Sequence, residues 1–285
     1  MTKHYTPEEL VEGFSQLHTL PEVYLRIKAI ADDPKSQAND LVRELSMDPA
    51  LTARVLRVVN SPLYGMNGKV ETLLSAVSVL GTRAIHDLVL ATSVTGMLVR
   101  RTVGELDLRD HWRLSLTIGL LARAIAQSLR LLDKDRMFVE GLLSRMGEVV
   151  IHERIGAVAR VVYRHAQTKG LPLHHSQRNF LGCHYGEVGA ALLRRWRLPE
   201  QICNGIDRYL EPSQAGEAAD IAILRLAANL ASSMGERPDE EVLNDIVPTA
   251  GLDLNAARLV EIMDTSREEL ETVLQVVIPA AISAA

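Results

Sequence analysis

Cysteine is nearly absent from this sequence. Cys183 and Cys203 are its only two, which make no disulfide framework and suit a reducing compartment. No apolar run approaches the length of a membrane span. The nearest, around Leu88 to Val99, is interrupted by Thr92, Ser93 and Thr95. The opening MTKHYTPEEL has none of the apolar stretch of a secretory signal. Aromatic residues are only 4% of the chain, and alternating β-branched runs are scarce, so little in the chain specifies a sheet. Phosphate-binding loops, dinucleotide glycine fingerprints, nucleophile elbows and His-Glu-x-x-His zinc motifs do not occur. These absences predict a cytoplasmic protein without membrane insertion.

What is abundant is Ala, Leu, Glu and Arg, which favours helices throughout. The 285 residues allow one large domain or two smaller ones. Thr6 caps a helix begun by Pro7, and Asp48 with Pro49 starts another over 49–60. Pro62 stops that helix, because it disfavours helical geometry at Ser61. Helices are also predicted over 37–46, 82–99, 107–130, 218–234, 239–247, 255–263 and 266–278. A central helix is predicted over Met137–Glu153, with Phe138, Leu142, Met146, Val149 and Val150 as its buried stripe. Gly141 and Gly147 lie inside it, each costing up to about 1 kcal/mol relative to Ala. Two such costs imply close backbone contacts or a local break.

Charge is uneven: residues 1–104 are neutral overall, 105–210 carry +5 and 211–285 carry −10. Two readings stay open, faces attracting each other within one fold or a basic docking surface. The units 38–61 and 72–99 have helix-turn-helix form, yet their second helices, 49–60 and 82–99, offer little beyond Arg54, Arg57, Arg83 and His86. So few basic groups argue against nucleic acid as a partner. His174, His175, Cys183 and His184 have ligand chemistry, but their spacing fits no common zinc pattern, and a polar loop before a helix is expected instead.

The segments NSPLYG (60–65) and TLLSAVSVLGTRAIHDLVL (72–90), the Trp112 helix, and Gly141-Leu142-Leu143 with Gly147 together resemble the HDOD family over residues 17–212. This family is related to the HD-type metal-dependent phosphohydrolases. The resemblance implies an all-α helical bundle, with an N-terminal helical subdomain (1–104) packed on an HD-like subdomain (105–235), then a C-terminal helical extension (236–285). It also implies where the enzymes' metal ligands would fall. The first His matches Leu114, judged from Trp112-x-x-Ser115, and the His-Asp pair matches Ser144-Arg145. A later His-His pair matches Arg208-Tyr209, and the final Asp matches Asn229. Only His184 persists from the wider pattern. His111, one turn before Leu114, is not assigned as a ligand.

Arg is a permanent cation where the enzymes place a carboxylate. It either pairs with Glu148 or Glu140, both in helical reach, or is solvated on an exposed face. The expectation is therefore a non-catalytic bacterial signal-transduction module with no cofactor and no metal, acting on protein partners. Arg194, Arg195 and Arg197 are the candidate partner surface, and self-association stays open. The alternatives are a residual metal-dependent nucleotide or cyclic-dinucleotide phosphohydrolase and a DNA-binding regulator.

Overall fold

The computed structural model describes residues 3–15, 20–66, 68–98, 103, 106–131, 133–214, 216–232, 243 and 252–278. Among the described residues every regular element is helical and no strand occurs. The predicted helix at 239–247 lies outside them, Leu243 excepted.

The chain forms two compact units, each assembled from separated stretches. One takes residues 20–101 and 264–285, and the other takes 1–19 and 102–263.

In the first unit, α2 (Glu22–Asp32), α3 (Ala38–Ser46) and α4 (Pro49–Val59) each pack on α5 (Leu73–Leu98). Asp48 caps α4 by accepting from the Leu51 amide at 2.9 Å, with Pro49 at the first helical position. Asn60 then holds the return of the chain. Its side chain accepts from the Val70 amide and donates to the Val70 carbonyl, each at 2.8 Å. Gly81 (φ 85°, ψ 162°) breaks α5 into two helices, a conformation closed to residues with a Cβ. By length and composition Leu73–Met97 passes as a membrane span. The break leaves its longer piece about 25 Å long, against a hydrocarbon core of about 30 Å.

The second unit holds α1 (Pro7–Ser15), α6 (Leu108–Ser128), α7 (Lys134–Leu143), α8 (Met146–Lys169), α9 (Leu173–Leu181), α10 (Tyr185–Arg195), α11 (Glu200–Arg208) and α12 (Ala219–Ser232). The predicted central helix is in fact two, α7 and the start of α8, jointed at Ser144-Arg145. α8 then runs past Glu153 to Lys169 with a kink at Ile155 (φ −137°, ψ 40°). Both readings of the glycines therefore hold. A Cβ on Gly141 would lie 2.5 Å from the Gly119 Cα on α6, and one on Gly147 would lie 1.9 Å from the Tyr185 carbonyl oxygen on α10. The predicted helices 255–263 and 266–278 are one, α13 (Ala256–Val277), whose residues to Met263 count with the second unit and the rest with the first.

Candidate functional site

The joint between α7 and α8 places Ser144 and Arg145. Ser144 is fully buried and uses its hydroxyl locally, donating to the Gly141 carbonyl at 2.7 Å. Its own carbonyl accepts from the Tyr209 hydroxyl at 3.3 Å, so the residue at one expected His-His position braces the joint. Arg145 is the first residue outside α8, and its guanidinium reaches along the helix to the buried Glu148 carboxylate. It also lies 5.0 Å from the Tyr185 ring centroid. Glu140, the other carboxylate in reach, lies on the far side of the joint and pairs with Arg136 at 3.3 Å.

Glu148 has a second neighbour, the His111 Nδ1 of α6 at 3.5 Å, which is long for a hydrogen bond. Burial alone would push the Glu148 pKa up. The Arg145 charge, helped by His111, outweighs it and holds the carboxyl at about 2. Burial lowers the His111 pKa against the pull of Glu148, so its imidazole is neutral. Arg145 has its pKa raised by the Glu148, Tyr185 and Tyr209 interactions despite burial, and stays a cation.

Beside this pair lies a cavity of about 370 Å³, lined in part by Arg145, Glu148 and His152. Asp110, His111 and Leu114 of α6 line it too, with Asp107 just before that helix, as do Arg160, Tyr163 and Arg164 of α8. Of the five positions implied by the resemblance, Leu114 and Arg145 thus share a cavity, with Ser144 buried next to Arg145. Asn229 does not join them: it is exposed on α12. His184 lies outside the cavity too, as the N-cap of α10. Its Nδ1 accepts from the Glu187 amide at 3.3 Å and its amide donates to Glu187 Oε2 at 2.9 Å.

The other imidazoles gather near His184. His174 and His175 lie in the first turn of α9 rather than in the expected loop, with the His174 ring centroid 6.1 Å from that of His184. Burial, with His175 and His184 nearby, lowers the His174 pKa to about 4, so this imidazole is neutral. Burial pushes the Cys183 thiol up to about 12, out of reach of thiolate chemistry. Sequence reasoning missed His111 and His152 as site residues. The step Arg145, Glu148, His152 is a helical stripe and carried that signal for His152.

A divalent ion needs carboxylates to offset its charge and imidazoles to fix its geometry. Here the buried carboxylate, Glu148, is already neutralised by a guanidinium that repels cations. Among the described residues no three His, Cys, Asp or Glu side chains converge as ligands. The donor set does not fit such an ion.

The candidate partner arginines differ from one another. Arg194 is held by Glu200, Asn204 and Asp207, each at 3.0 Å, whereas Arg195 and Arg197 are exposed on either side of buried Trp196. In the helix-turn-helix-like stretches His86 is buried against Asp87 at 3.1 Å. Arg54 folds toward α5, where a Cβ on Gly96 would meet its Nη1 at 2.9 Å. Arg57 and Arg83 are the exposed members of that set.

Comparison with known proteins places this geometry. A curated relative, an uncharacterized protein of Treponema pallidum (strain Nichols), is 27% identical over 238 residues, 82% of this chain. The chain spans only 46% of that relative's length. The crystal structure of an HDOD domain protein of unknown function from Geobacter sulfurreducens matches with a TM-score of 0.75 at 25% identity, covering 94% of this chain and 97% of that one. A candidate phosphohydrolase from Shewanella amazonensis SB2B matches with a TM-score of 0.77 at 25% identity, covering 93% and 97%. The HDOD domain model itself matches residues 17–212, so this chain belongs to the HDOD domain family.

Proposed function

We propose that this chain is a regulatory module that works by binding another protein, and that it has lost metal-dependent phosphate chemistry. The observation that carries this reading is the buried Arg145–Glu148 ion pair. Its arginine falls, by resemblance, at the Asp position of the metal-binding His-Asp pair of the family's enzymatic relatives. A permanent cation there supplies internally the charge that an ion would bring, so the bundle closes without metal. Leu114 beside it offers no ligand, and Ser144 has its hydroxyl committed to the backbone.

For the partner, the exposed Arg195 and Arg197 are the surface we favour, since the acids around Arg194 leave it little charge to offer. A binding surface outside the cavity also leaves the buried pair undisturbed. The competing reading, a metal-dependent phosphohydrolase, draws on the description of the Shewanella amazonensis relative.

Elemental analysis of protein purified without chelator separates the two, together with a phosphodiesterase assay in added manganese, magnesium or iron. The regulatory reading predicts sub-stoichiometric metal and no turnover. Stoichiometric metal with turnover abolished by Glu148→Gln would establish the enzyme instead.

A further inference from the structure

The positive charge of the middle of the chain is gathered in one stretch. Residues 154–186 contain Arg154, Arg160, Arg164, Lys169 and Arg178, and not one Asp or Glu. Three of these bases are occupied. Arg178 pairs with Glu187 and Glu211, each at 2.7 Å. Arg154 lies against Gly13 of α1, in a hollow it shares with Glu9 and Glu12. Arg160 is engaged within the fold. Arg164 and Lys169 remain, both exposed and without an ion pair among the described residues. Asp107 and Asp110 share a cavity lining with Arg164. They lie at the N-terminal end of α6, where the helix amides offset their charge.

The same stretch exposes apolar side chains. Val161 is 59% exposed, Tyr163 45% and Leu171 42%, more than any other large hydrophobic residue described in the second unit. Val161, Arg164 and Thr168 recur at three- and four-residue steps and share one exposed face of α8. Tyr163 and Gln167 border it, the Gln167 amide donating to the Tyr163 hydroxyl at 3.1 Å. Gly170 then ends the helix in a left-handed turn (φ 62°), and the Leu171 amide returns to the Ala166 carbonyl at 3.0 Å. Leu171 is thereby held at the last turn of α8, which carries Lys169. This helix end thus offers aliphatic and aromatic groups, two unpaired cations and no acid of its own. Tyrosine among aliphatic side chains suits the headgroup level of a bilayer, and Arg and Lys beside it suit lipid phosphates. A protein partner would have to place acids against two particular cations, whereas a lipid surface reads only the sign and density of charge.

We infer that the C-terminal end of α8, from Val161 to Leu171, is a docking surface for an anionic lipid membrane, held at headgroup level without a span. The inference goes beyond the regulatory reading. It needs neither the loss of a metal site nor a protein partner, so the two succeed or fail separately.

Co-sedimentation of the full chain with vesicles tests it, comparing phosphatidylcholine containing about 30% phosphatidylglycerol with phosphatidylcholine alone. The native chain should partition onto the anionic vesicles, leave them in about 0.5 M salt, and ignore the neutral ones. Arg164→Gln with Lys169→Gln, both at exposed positions, should weaken partitioning on the order of twentyfold, about fivefold per charge. Val161→Ser with Leu171→Ser should weaken it roughly fivefold or more. Arg195→Gln with Arg197→Gln should change it far less. No partitioning onto anionic vesicles, equal partitioning onto neutral ones, or anionic binding that either α8 pair leaves unchanged overturns the inference. So does a loss from the Arg195 and Arg197 pair as large as that from Arg164 and Lys169.

Discussion

Arg145→Met removes the charge at the joint while keeping much of the side chain's bulk, and so isolates the worth of the ion pair. In the native protein the Glu148 carboxyl is drawn from its ordinary value of 4.5 to about 2, which stores about 3 kcal/mol of stability at neutral pH. Without Arg145 that carboxylate is buried and uncompensated, a change that typically costs about 3–5 kcal/mol. The pH dependence is the sharper signature. A depressed folded-state value contributes stability that is complete above 4.5 and is lost as pH falls toward 2. At pH 3 the native protein should already have given up about 2 kcal/mol of this term. In the variant, Glu148 rises above its ordinary value through burial, so acid relieves it. Urea denaturation followed by circular dichroism at pH 7 and pH 3 should therefore show a large gap that narrows on acidification. Adding Glu148→Leu should recover most of the pH 7 loss. A loss below about 1 kcal/mol at pH 7, or one equally large at pH 3, would refute the argument.

His184→Ala should cost about 1 kcal/mol through loss of the α10 cap, while His184→Asn should cost less, because asparagine caps well; equal melting temperatures for the two would count against the capping role. Gly147→Ala should lower the unfolding free energy by about 1–3 kcal/mol or more, read by urea denaturation, since its Cβ would meet the Tyr185 backbone. Gly156→Ala, on the same helix with nothing within 4 Å of the added Cβ, should instead raise it by about 0.5–1 kcal/mol. Once a partner is captured, joint reversal of Arg195 and Arg197 to Glu should slow association and flatten its salt dependence, and Arg194→Glu should do less. Association rates untouched by the double reversal would remove that surface from the account.

Much of the fold was legible because local chemistry decides it. Asp48-Pro49 starts a helix and Asn60-Ser61-Pro62 ends it whatever surrounds them. The break at Ser144-Arg145 had no such signal. Neither residue is Pro or Gly, and the joint is braced by Tyr209, 65 residues away in sequence. Sequence spacing offered Arg145 two carboxylates, and only the joint decides between them by leaving Glu140 on another helix. His184 looked like a remnant of a metal set, although His184-x-x-Glu187 already has the form of a capping box. His111 could not be assigned from spacing alone, because its partner Glu148 comes from a different helix. The exposure of Asn229 was not legible for a related reason: a motif position fixes a place along a helix, and the packing of the other helices fixes which face is buried.

The proposal that the chain holds no metal site is tested most directly by titrating manganese(II) into the full chain while recording the free ion's six-line electron paramagnetic resonance signal. The Arg145–Glu148 pair predicts a signal that grows as it does in buffer, in native protein and in the Ser144→His/Arg145→Asp double variant alike, since Leu114 still leaves the ligand set incomplete. Stoichiometric quenching by the native protein, abolished by Glu148→Gln, would contradict the account.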